Sequence, residues 1–377
     1  MNKRVLIAGG GTGGHVVPGL AVARALVAGG LGPAELHWVG SERGMEVEAV
    51  PAAGFSLTVL PGRGIERSLS LANFANVLGI VRGVFKGITL VRRLSPEVVV
   101  SLGGYAAVPA IVGAIVTRTP IVIQEQNATP SLANRLASRF SVASSVPVEG
   151  VGLRHEVVTG NPIDDQMSDA ADRAGRDGER ELAAARLGLP ETKTIIAAFG
   201  GSLGARRINH AVLDLADRWS DRDDVAIHHV IGRRDWADLA ERVDRLQSTT
   251  LHYQAVEFED RMPDLIVAAD MAISRAGGMA VAELSAVGLP ALLVPLPIAP
   301  NDAQRANAAA VVAAGGALLI DDSSLDADLL EAELEPLVGP KGAKTREIMA
   351  SATLALGRPD AAEKIAAIVM EVADADR

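Results

Sequence analysis

The feature that most constrains the fold of this chain is a repeated order of segments, in which a short apolar run is followed by a glycine-rich turn and an Ala/Leu-rich stretch. The runs are apolar throughout, which is typical of strands covered on both faces of a parallel sheet. Repetition of strand and helix indicates right-handed βαβ units in open, doubly wound α/β sheets. The predicted strands are residues 5–8, 36–39, 98–101, 121–124 and 157–159, and then 194–199, 226–231, 251–256, 271–274, 291–295 and 317–320.

A charged segment at residues 164–186 divides these strands into two sets. The segment is rich in Asp, Glu, Arg and Ala and poor in large apolar residues, which is typical of a linker followed by a solvated helix. A length of 377 residues suits more than one domain. We therefore expect two Rossmann-like domains, residues 1–163 and 164–360. Apolar residues at helical spacing predict a last helix, at about 361–377, that packs back onto the first domain.

Composition excludes several classes of protein. The chain has no cysteine, which rules out disulfide scaffolds, zinc–thiolate sites, iron–sulfur clusters and cysteine nucleophiles. Its histidines form no spaced cluster with acids, so we expect neither a metal nor a cofactor. A net charge of −10 argues against nucleic-acid binding. The apolar run at the N-terminus is too short for a signal peptide, which favours a soluble, intracellular protein.

The first predicted strand runs into the sequence Gly-Gly-Gly-Thr-Gly-Gly-His at residues 9–15, before a helix predicted from about Pro18. Consecutive glycines let backbone N–H groups approach a ligand, and a helix N-terminus carries partial positive charge, so this loop favours a diphosphate. It lacks the Gly-Lys-Ser/Thr of a P-loop and the acid of a dinucleotide fingerprint. His15, at its end, could accept a proton from a substrate hydroxyl or could simply cap the helix.

Two further turns follow strands of the first half, at residues 101–105 and 124–127. The carboxyl ends of parallel strands meet at one edge of a sheet, so both turns are expected beside the first glycine loop, where open α/β folds bind ligands. Glu125 could act as a base, hold a sugar hydroxyl or be a buried structural carboxylate.

The second half repeats this arrangement of strand, turn and helix. Residues 199–205 offer another cradle of N–H groups together with the Ser202 hydroxyl. A later turn places Glu283 in the first turns of a helix, where a carboxylate can accept both hydroxyls of a ribose. Polar residues at 295–307 follow another strand. Phosphate and sugar features in the same half indicate a nucleotide-sugar site.

Taken in order, these loops resemble the MurG family of GT-B glycosyltransferases. The resemblance implies two Rossmann-like domains that face a central cleft, with the acceptor in the first and UDP-GlcNAc in the second. It implies an inverting transfer of GlcNAc to the MurNAc C4 hydroxyl of lipid I, undecaprenyl-pyrophosphoryl-MurNAc-pentapeptide, which gives lipid II in peptidoglycan synthesis. It also implies that no metal is needed on the leaving diphosphate. The stretches that carry the resemblance are residues 9–23, 103–105, 125–127, 160–162, 200–205, 275–283 and 288–307.

The resemblance implies roles for individual residues. His15 is the first candidate for the base on the acceptor hydroxyl and Glu125 the second, and the family pattern does not choose between them. Glu283 is implied to hold the ribose and Gln304 the hydroxyls of GlcNAc, while the main chain near Glu259 meets the edge of uracil. The other implied donor contacts are Thr12, Gly13, Gly14, Asn127, Ser202, Gly278, Met279, Ala280, Val281 and Ala282.

Some positions depart from the family pattern. Asp164, which we keep among the predicted donor-binding residues, stands where an arginine is usual, and Leu203 stands where a glutamine is usual. Gln124 replaces a histidine, and Ala303 replaces a polar residue. One donor-phosphate contact of the family, at residue 164, therefore lacks its usual cation, and Leu203 cannot donate a side-chain hydrogen bond.

One segment has the pattern of a surface that contacts a membrane. The window 61–93 carries six basic residues and one acid, so its net charge is 6 − 1 = +5 in a protein of −10. Apolar side chains ringed by Lys and Arg suit anionic lipid, although a core helix with solvated cations has the same pattern. The lipid-linked acceptor favours a peripheral protein on the cytoplasmic face of the cell membrane, with other cell-wall and division proteins as further partners. The apolar residues that share one helical face are Leu71, Phe74, Leu78, Val81, Phe85 and Ile88.

Three other functions fit parts of this pattern. A GT-B transferase acting on another acceptor, such as a natural product, would not require the basic apolar segment. A UDP-GlcNAc 2-epimerase would consume the nucleotide sugar without any acceptor. A non-catalytic sensor or scaffold for cell-wall enzymes draws support only from the departures at residues 164 and 203, and the intact His15, Asn127 and Glu283 argue against it.

Overall fold

A computed structural model describes residues 4–61, 71–201 and 203–375, with side chains described from Arg82 onward in the helix that begins at Leu71. The chain divides into two compact units, which we call the first unit (residues up to 164 and from 359) and the second unit (165–358). Each unit contains one parallel sheet flanked by helices, which confirms the predicted α/β class.

The sheet of the first unit has seven strands in the order β3-β2-β1-β4-β5-β6-β7, and all of its neighbours run parallel. Its strands are β1 Val5–Ala8, β2 Leu36–Ser41, β3 Ser56–Leu60, β4 Val98–Ser101, β5 Ile121–Gln124, β6 Ala143–Val146 and β7 Glu156–Val158. Its helices before residue 164 are α1 Gly13–Ala28, α2 Glu46–Ala52, α3 Leu71–Leu94, α4 Gly104–Thr117 and α5 Leu132–Ala137.

Both faces of this sheet are covered, as its continuous apolar strands predict. Alternate residues of β1 enter different cores: Ile7 packs with residues of α1, and Leu6 packs with residues of α3 and α4. The four residues of β1 are fully buried. With both faces covered, a ligand can reach the sheet only at the ends of its strands, and open α/β folds bind ligands at the carboxyl ends.

The sheet of the second unit has six parallel strands in the order β10-β9-β8-β11-β12-β13. They are β8 Thr194–Phe199, β9 Val225–Val230, β10 His252–Val256, β11 Met271–Ser274, β12 Ala291–Leu293 and β13 Ala317–Leu319. The helices are α6 Asp165–Ala174, α7 Glu179–Leu187, α8 Arg206–Arg218, α9 Trp236–Leu246, α10 Met262–Ala268, α11 Gly278–Val287, α12 Ala303–Ala313, α13 Ala327–Leu334 and α14 Gly339–Leu354.

The last helix, α15 (Ala361–Asp374), belongs to the first unit, where it packs on α1, β4 and β5. Its Ile365 and Val369 are fully buried in the core that contains α1. Arg4 bridges the end of α15 to the sheet, because it pairs with Asp374 and donates from Nε to Glu97 at 2.6 Å.

Two strands were missed from the sequence, and the expectation for one segment was wrong in part. The strands β3 and β6 were missed, because β3 is a partly exposed edge strand and β6 is made of small and polar residues. The charged segment 164–186, expected to be a linker followed by one solvated helix, instead forms the two helices α6 and α7. Both pack against α10, and Met167 and Ala170 of α6 are buried. These few contacts were too sparse to appear as a periodic pattern in the sequence.

The helix predicted to face a membrane is α3, and it packs closely on α4. A Cβ atom on Gly87 would lie 2.3 Å from the Pro109 carbonyl oxygen, so only glycine permits this approach of the two backbones. On the outer side Phe85 is 67% exposed, and Ile88 is half-buried. The side chains of Leu71, Phe74, Leu78 and Val81 lie outside the described residues. No helix in the described part of the chain is long and apolar enough to cross a bilayer.

Candidate functional site

The glycine loop of the first unit joins β1 directly to α1, which begins at Gly13 and not near Pro18 as predicted. Gly9 and Gly11 have positive φ angles of 155° and 96°, which explains the need for glycine there. Thr12 precedes the helix in extended conformation, and its hydroxyl makes no capping bond. It lies instead 3.2 Å from Nδ1 of His15, in the first turn of α1.

Two buried side chains of the neighbouring strand region hold this loop. Trp38 donates from Nε1 to the Gly9 carbonyl at 2.8 Å. Glu46, fully buried, accepts the Gly11 N–H at 2.7 Å, and its other oxygen accepts the N–H and hydroxyl of Ser41 at 2.7 and 2.8 Å. Glu46 was not predicted from the sequence. The signal that could have indicated it is a carboxylate shortly after the glycines at 40 and 44, both of which leave room for its side chain.

His15 lies against the start of α4, because a Cβ atom on Gly104 would be 3.6 Å from its Cε1 and Nε2 atoms. Burial lowers the pKa of His15 below its ordinary value of 6.5, since a charged imidazolium loses solvation there, while Glu125 and Glu46 act in the opposite direction. The imidazole is therefore neutral at pH 7, the form that can accept a proton.

Glu125 is buried and fully hydrogen-bonded. One carboxylate oxygen accepts the N–H groups of Gln126 and Asn127, each at 3.1 Å, and the Asn127 side-chain amide at 3.4 Å. The other accepts the Ser131 N–H and the Asn134 amide, each at 3.0 Å. Of the roles open to Glu125, this geometry favours the structural carboxylate, which orients Asn127 and the start of α5.

The turn that ends in Asp164 is tied to the same region. Asn161 donates from its side-chain amide to the Gln126 carbonyl at 2.8 Å, which joins residues 160–164 to the turn after β5. Asp164 itself is half-buried. The first unit thus places His15 within the electrostatic influence of Glu125, which in turn holds Asn127, at the carboxyl edge of one sheet, as the parallel topology predicts.

A cavity of about 1160 Å³ opens in the second unit. The glycine turn after β8 lines it, and so do four of the predicted donor-binding residues: Glu259, Ala280, Glu283 and Gln304. The other predicted residues of this group, Gly278, Met279, Val281 and Ala282, lie in the first turns of α11 beside Ala280 and Glu283. Leu203 also lines the cavity and is 67% exposed. Ser202 lies outside the described residues.

Hydrogen bonds within the wall orient several of these groups. Gln304 accepts the Leu296 N–H at 2.8 Å through Oε1, so its Nε2 is the atom suited to donate to a ligand hydroxyl. Glu259 accepts the Arg261 N–H at 2.8 Å, and its second oxygen lies 2.9 Å from Nε2 of the buried His228. Burial lowers the pKa of His228, against the influence of Glu259. Sequence reasoning missed His228, because an interior strand position carries no functional signal.

Arg275 also lines the cavity. It donates from Nη1 to the carbonyls of Val294 and Pro295 at 3.0 and 3.3 Å, and the same nitrogen pairs with Asp322 at 2.6 Å. These contacts fix the loop after β12, which carries Gln304 into position at the start of α12.

Comparisons with known proteins agree with this arrangement. Residues 5–144 match the glycosyltransferase family 28 N-terminal domain, and residues 195–365 match the glycosyltransferase family 28 C-terminal domain. Among solved structures, MurG of Acinetobacter baumannii has a TM-score of 0.77 at 24% identity, over 98% of this chain and 99% of that one. A UDP-GlcNAc 2-epimerase from Neisseria meningitidis has a TM-score of 0.66 at 15% identity, over 98% and 99%. These two likenesses show a shared fold.

Relatives that are similar in sequence show the family as well as the fold. The UDP-N-acetylglucosamine–N-acetylmuramyl-(pentapeptide) pyrophosphoryl-undecaprenol N-acetylglucosamine transferase of Salinibacter ruber is 36% identical over 98% of this chain and 97% of its own length. Its namesake from Mycolicibacterium smegmatis is 37% identical over 99% of this chain and 95% of its own. With such identity over nearly its whole length, the chain belongs to glycosyltransferase family 28 and, within it, to the N-acetylglucosamine transferases of this name.

Proposed function

We propose that this chain transfers GlcNAc from UDP-GlcNAc to the MurNAc C4 hydroxyl of lipid I, with inversion at the anomeric carbon, and releases lipid II and UDP. The observation that carries the proposal is the near full-length identity with relatives whose names state this donor and this acceptor. The cavity of the second unit supports it, because its wall combines a glycine turn, a helix start and groups for sugar hydroxyls.

The loops and helix starts of the second unit bind the donor, UDP-GlcNAc. Backbone N–H groups of the turn before α8 and the partial positive charge of that helix stabilise the diphosphate, and they stabilise it further as it leaves with UDP. Glu283, on α11, accepts the ribose hydroxyls, and Gln304 donates from Nε2 to a hydroxyl of GlcNAc. The main chain at Phe258 and Glu259, both on the cavity wall, meets the edge of uracil.

The acceptor is activated by His15. The neutral imidazole removes the proton of the C4 hydroxyl while that oxygen attacks C1 of GlcNAc, and the bond between C1 and the diphosphate breaks with its electrons going to UDP. We assign to Glu125 the role of orienting Asn127, since both of its oxygens accept hydrogen bonds from neighbouring groups, and it stays the second candidate for the base. The donor contacts expected of Thr12, Gly13, Gly14, Asn127, Asp164 and Ser202 stay predictions.

The same proposal places the protein at the cytoplasmic face of the cell membrane, held there by α3. Gly83 and Gly87 of this helix are buried, whereas Arg82, Phe85 and Lys86 are exposed on its outer side. A core helix would not leave a phenylalanine 67% exposed between two cations, so the interfacial interpretation is favoured. Contacts with other cell-wall and division proteins stay an expectation of the resemblance alone.

The test of the function is UDP release from UDP-GlcNAc with and without a short-chain lipid I analogue, with the product followed by mass spectrometry. We expect UDP release only with the analogue, together with the GlcNAc–MurNAc disaccharide. Turnover without the analogue would indicate an epimerase or hydrolase, and donor binding without any turnover would indicate a sensor. Either result would contradict the proposal.

For the membrane surface, Phe85→Asp is expected to weaken association with phosphatidylglycerol-containing liposomes about tenfold or more, because an exposed ring proposed to insert into the lipid is replaced by a charge of the lipid's sign. Liposome co-sedimentation measures the effect. Ile348→Asp is the control, since Ile348 is 61% exposed but lies on α14 of the second unit. Equal binding of the Phe85 variant and the wild type would count against this surface.

A further inference from the structure

A chain of buried polar side chains lies behind the cavity wall of the second unit. The Tyr253 hydroxyl is 2.8 Å from Nδ1 of His229, and Nε2 of His229 is 3.1 Å from the Asn209 side-chain oxygen. Asn209 donates to Asp235 at 3.0 Å and to the Ile231 carbonyl at 2.9 Å. Burial lowers the pKa of His229 to about 3, so this histidine is neutral and the network carries charge only at Asp235.

Asp235, almost fully buried, is shared by two arginines of the cavity wall. Arg206 donates from Nε to Oδ1 at 3.0 Å, and Arg234 donates from Nε and Nη2 to Oδ1 and Oδ2, both at 3.1 Å. Burial raises the pKa of Asp235, but the hydrogen bonds from Arg234 and Arg206 outweigh it and lower this pKa overall. Two guanidinium groups and one carboxylate leave a net charge of 2 − 1 = +1 at the wall.

These arginines border the glycine turn that precedes α8. Arg206 is the first residue of α8, and Arg234 donates to the Gly204 carbonyl at 3.4 Å. Among the described residues, no acceptor pairs with Nη1 or Nη2 of Arg206, and the side chains of Arg206 and Arg234 are 61% and 47% exposed. The neighbouring cations are engaged elsewhere, since Arg207 pairs with Asp322 at 3.3 Å and Arg233 lies over the Phe258 ring.

We propose that Arg206 and Arg234, oriented by the buried Asp235, bind the diphosphate of the nucleotide-sugar donor. The proposal rests on the donor site proposed above and adds two cationic side chains to its backbone N–H groups. Because Asp235 occupies their inner nitrogens, the guanidinium forks are held with outer N–H groups toward the cavity, a geometry that suits phosphate oxygens.

The experiment is calorimetric titration of UDP, UMP and uridine into the full chain and its variants. Arg206→Gln and Arg234→Gln are each expected to weaken UDP binding about 10- to 100-fold, as expected for loss of a charge-assisted hydrogen bond to phosphate, with uridine affinity changed less than twofold. Retained uridine binding shows that the cavity is folded. Arg218→Ala is the control, because Arg218 ends the same helix and pairs with Glu331 away from the cavity.

The outcomes separate this proposal from the function on which it rests. If the wild-type chain binds UDP and both glutamine variants bind it as tightly as the Arg218 variant, the arginine site is wrong and the donor assignment stands. If the wild-type chain binds no UDP, the donor assignment fails and the arginine site fails with it.

Discussion

Replacing His15 by alanine is expected to lower kcat for GlcNAc transfer about 100- to 10,000-fold, the range for loss of a general base, while the Kd for UDP stays unchanged. The imidazole lies in the first turn of α1, against the start of α4, and its Nδ1 faces the Thr12 hydroxyl. The cavity proposed to hold UDP is lined by residues of the second unit, so we expect the substitution to remove the proposed base and leave those residues unchanged.

The pH dependence of kcat is a second test of His15 as the base. Burial lowers the pKa of His15, and a base must be neutral to act, so the rate is fully present above the lowered pKa and is lost as pH falls through it. We expect a flat profile near pH 7 and an acid limb below pH 6.5 in the wild type. The residual rate of the alanine variant should lack that limb.

His155→Asn is the matched control for the His15 variant. His155 is an exposed histidine of the same unit with a φ of 54°, a conformation that asparagine tolerates. Its replacement should leave both kcat and the acid limb as in the wild type. An alanine variant of His15 that keeps wild-type kcat would show that another group is the base, with Glu125 the next to test.

The second large effect is expected from Gly204→Ala, which should lower the free energy of unfolding by about 3 kcal/mol or more and weaken UDP binding at least tenfold. Gly204 has a φ of 76°, and an added Cβ would lie 2.0 Å from the Ile231 carbonyl oxygen. That oxygen belongs to the backbone and already accepts a hydrogen bond from Asn209, so no rotamer change relieves the overlap. The turn before α8 must move, and its N–H groups move with it.

The Gly201→Ala variant distinguishes the effect of the atomic overlap at Gly204 from the free-energy cost of placing alanine in a left-handed backbone conformation. Gly201 lies in the same turn with a φ of 85°, but an added Cβ there would meet nothing within 4 Å. Its alanine variant should lose only about 1–2 kcal/mol, the cost of a left-handed conformation. Urea denaturation of the two variants, with and without UDP, measures the difference. Equal destabilisation by both substitutions would refute the argument from the Ile231 contact.

The central strands were predictable because their side chains are buried on both faces. The bounds of β1, β4, β5, β8 and β11 agree residue for residue with the expected apolar runs. The edge strand β3 and the small-residue strand β6 lack such a run. They form because they pair with neighbouring strands in the assembled sheet, and the local sequence does not show that pairing. For the same reason, the segment that forms α6 and α7 was expected to be a linker followed by a single helix, since what orders both helices is contact with α10.

By itself, the sequence determined the order of strands, glycine turns and helices, and with it the loops that carry His15, Glu125, Glu283 and Gln304. These signals are local, because glycine content and apolar runs act on the backbone within a few residues. Only the tertiary structure decided how the charged groups are used. Glu46 of α2 accepts a hydrogen bond from the first glycine loop, and Asp235 pairs with both Arg206 and Arg234 at one cavity wall. The roles of Glu46 and Asp235 depend on how deeply each carboxylate is buried and on partners distant in sequence. Burial sets the free-energy cost of an unpaired charge, and the distant partners remove that cost.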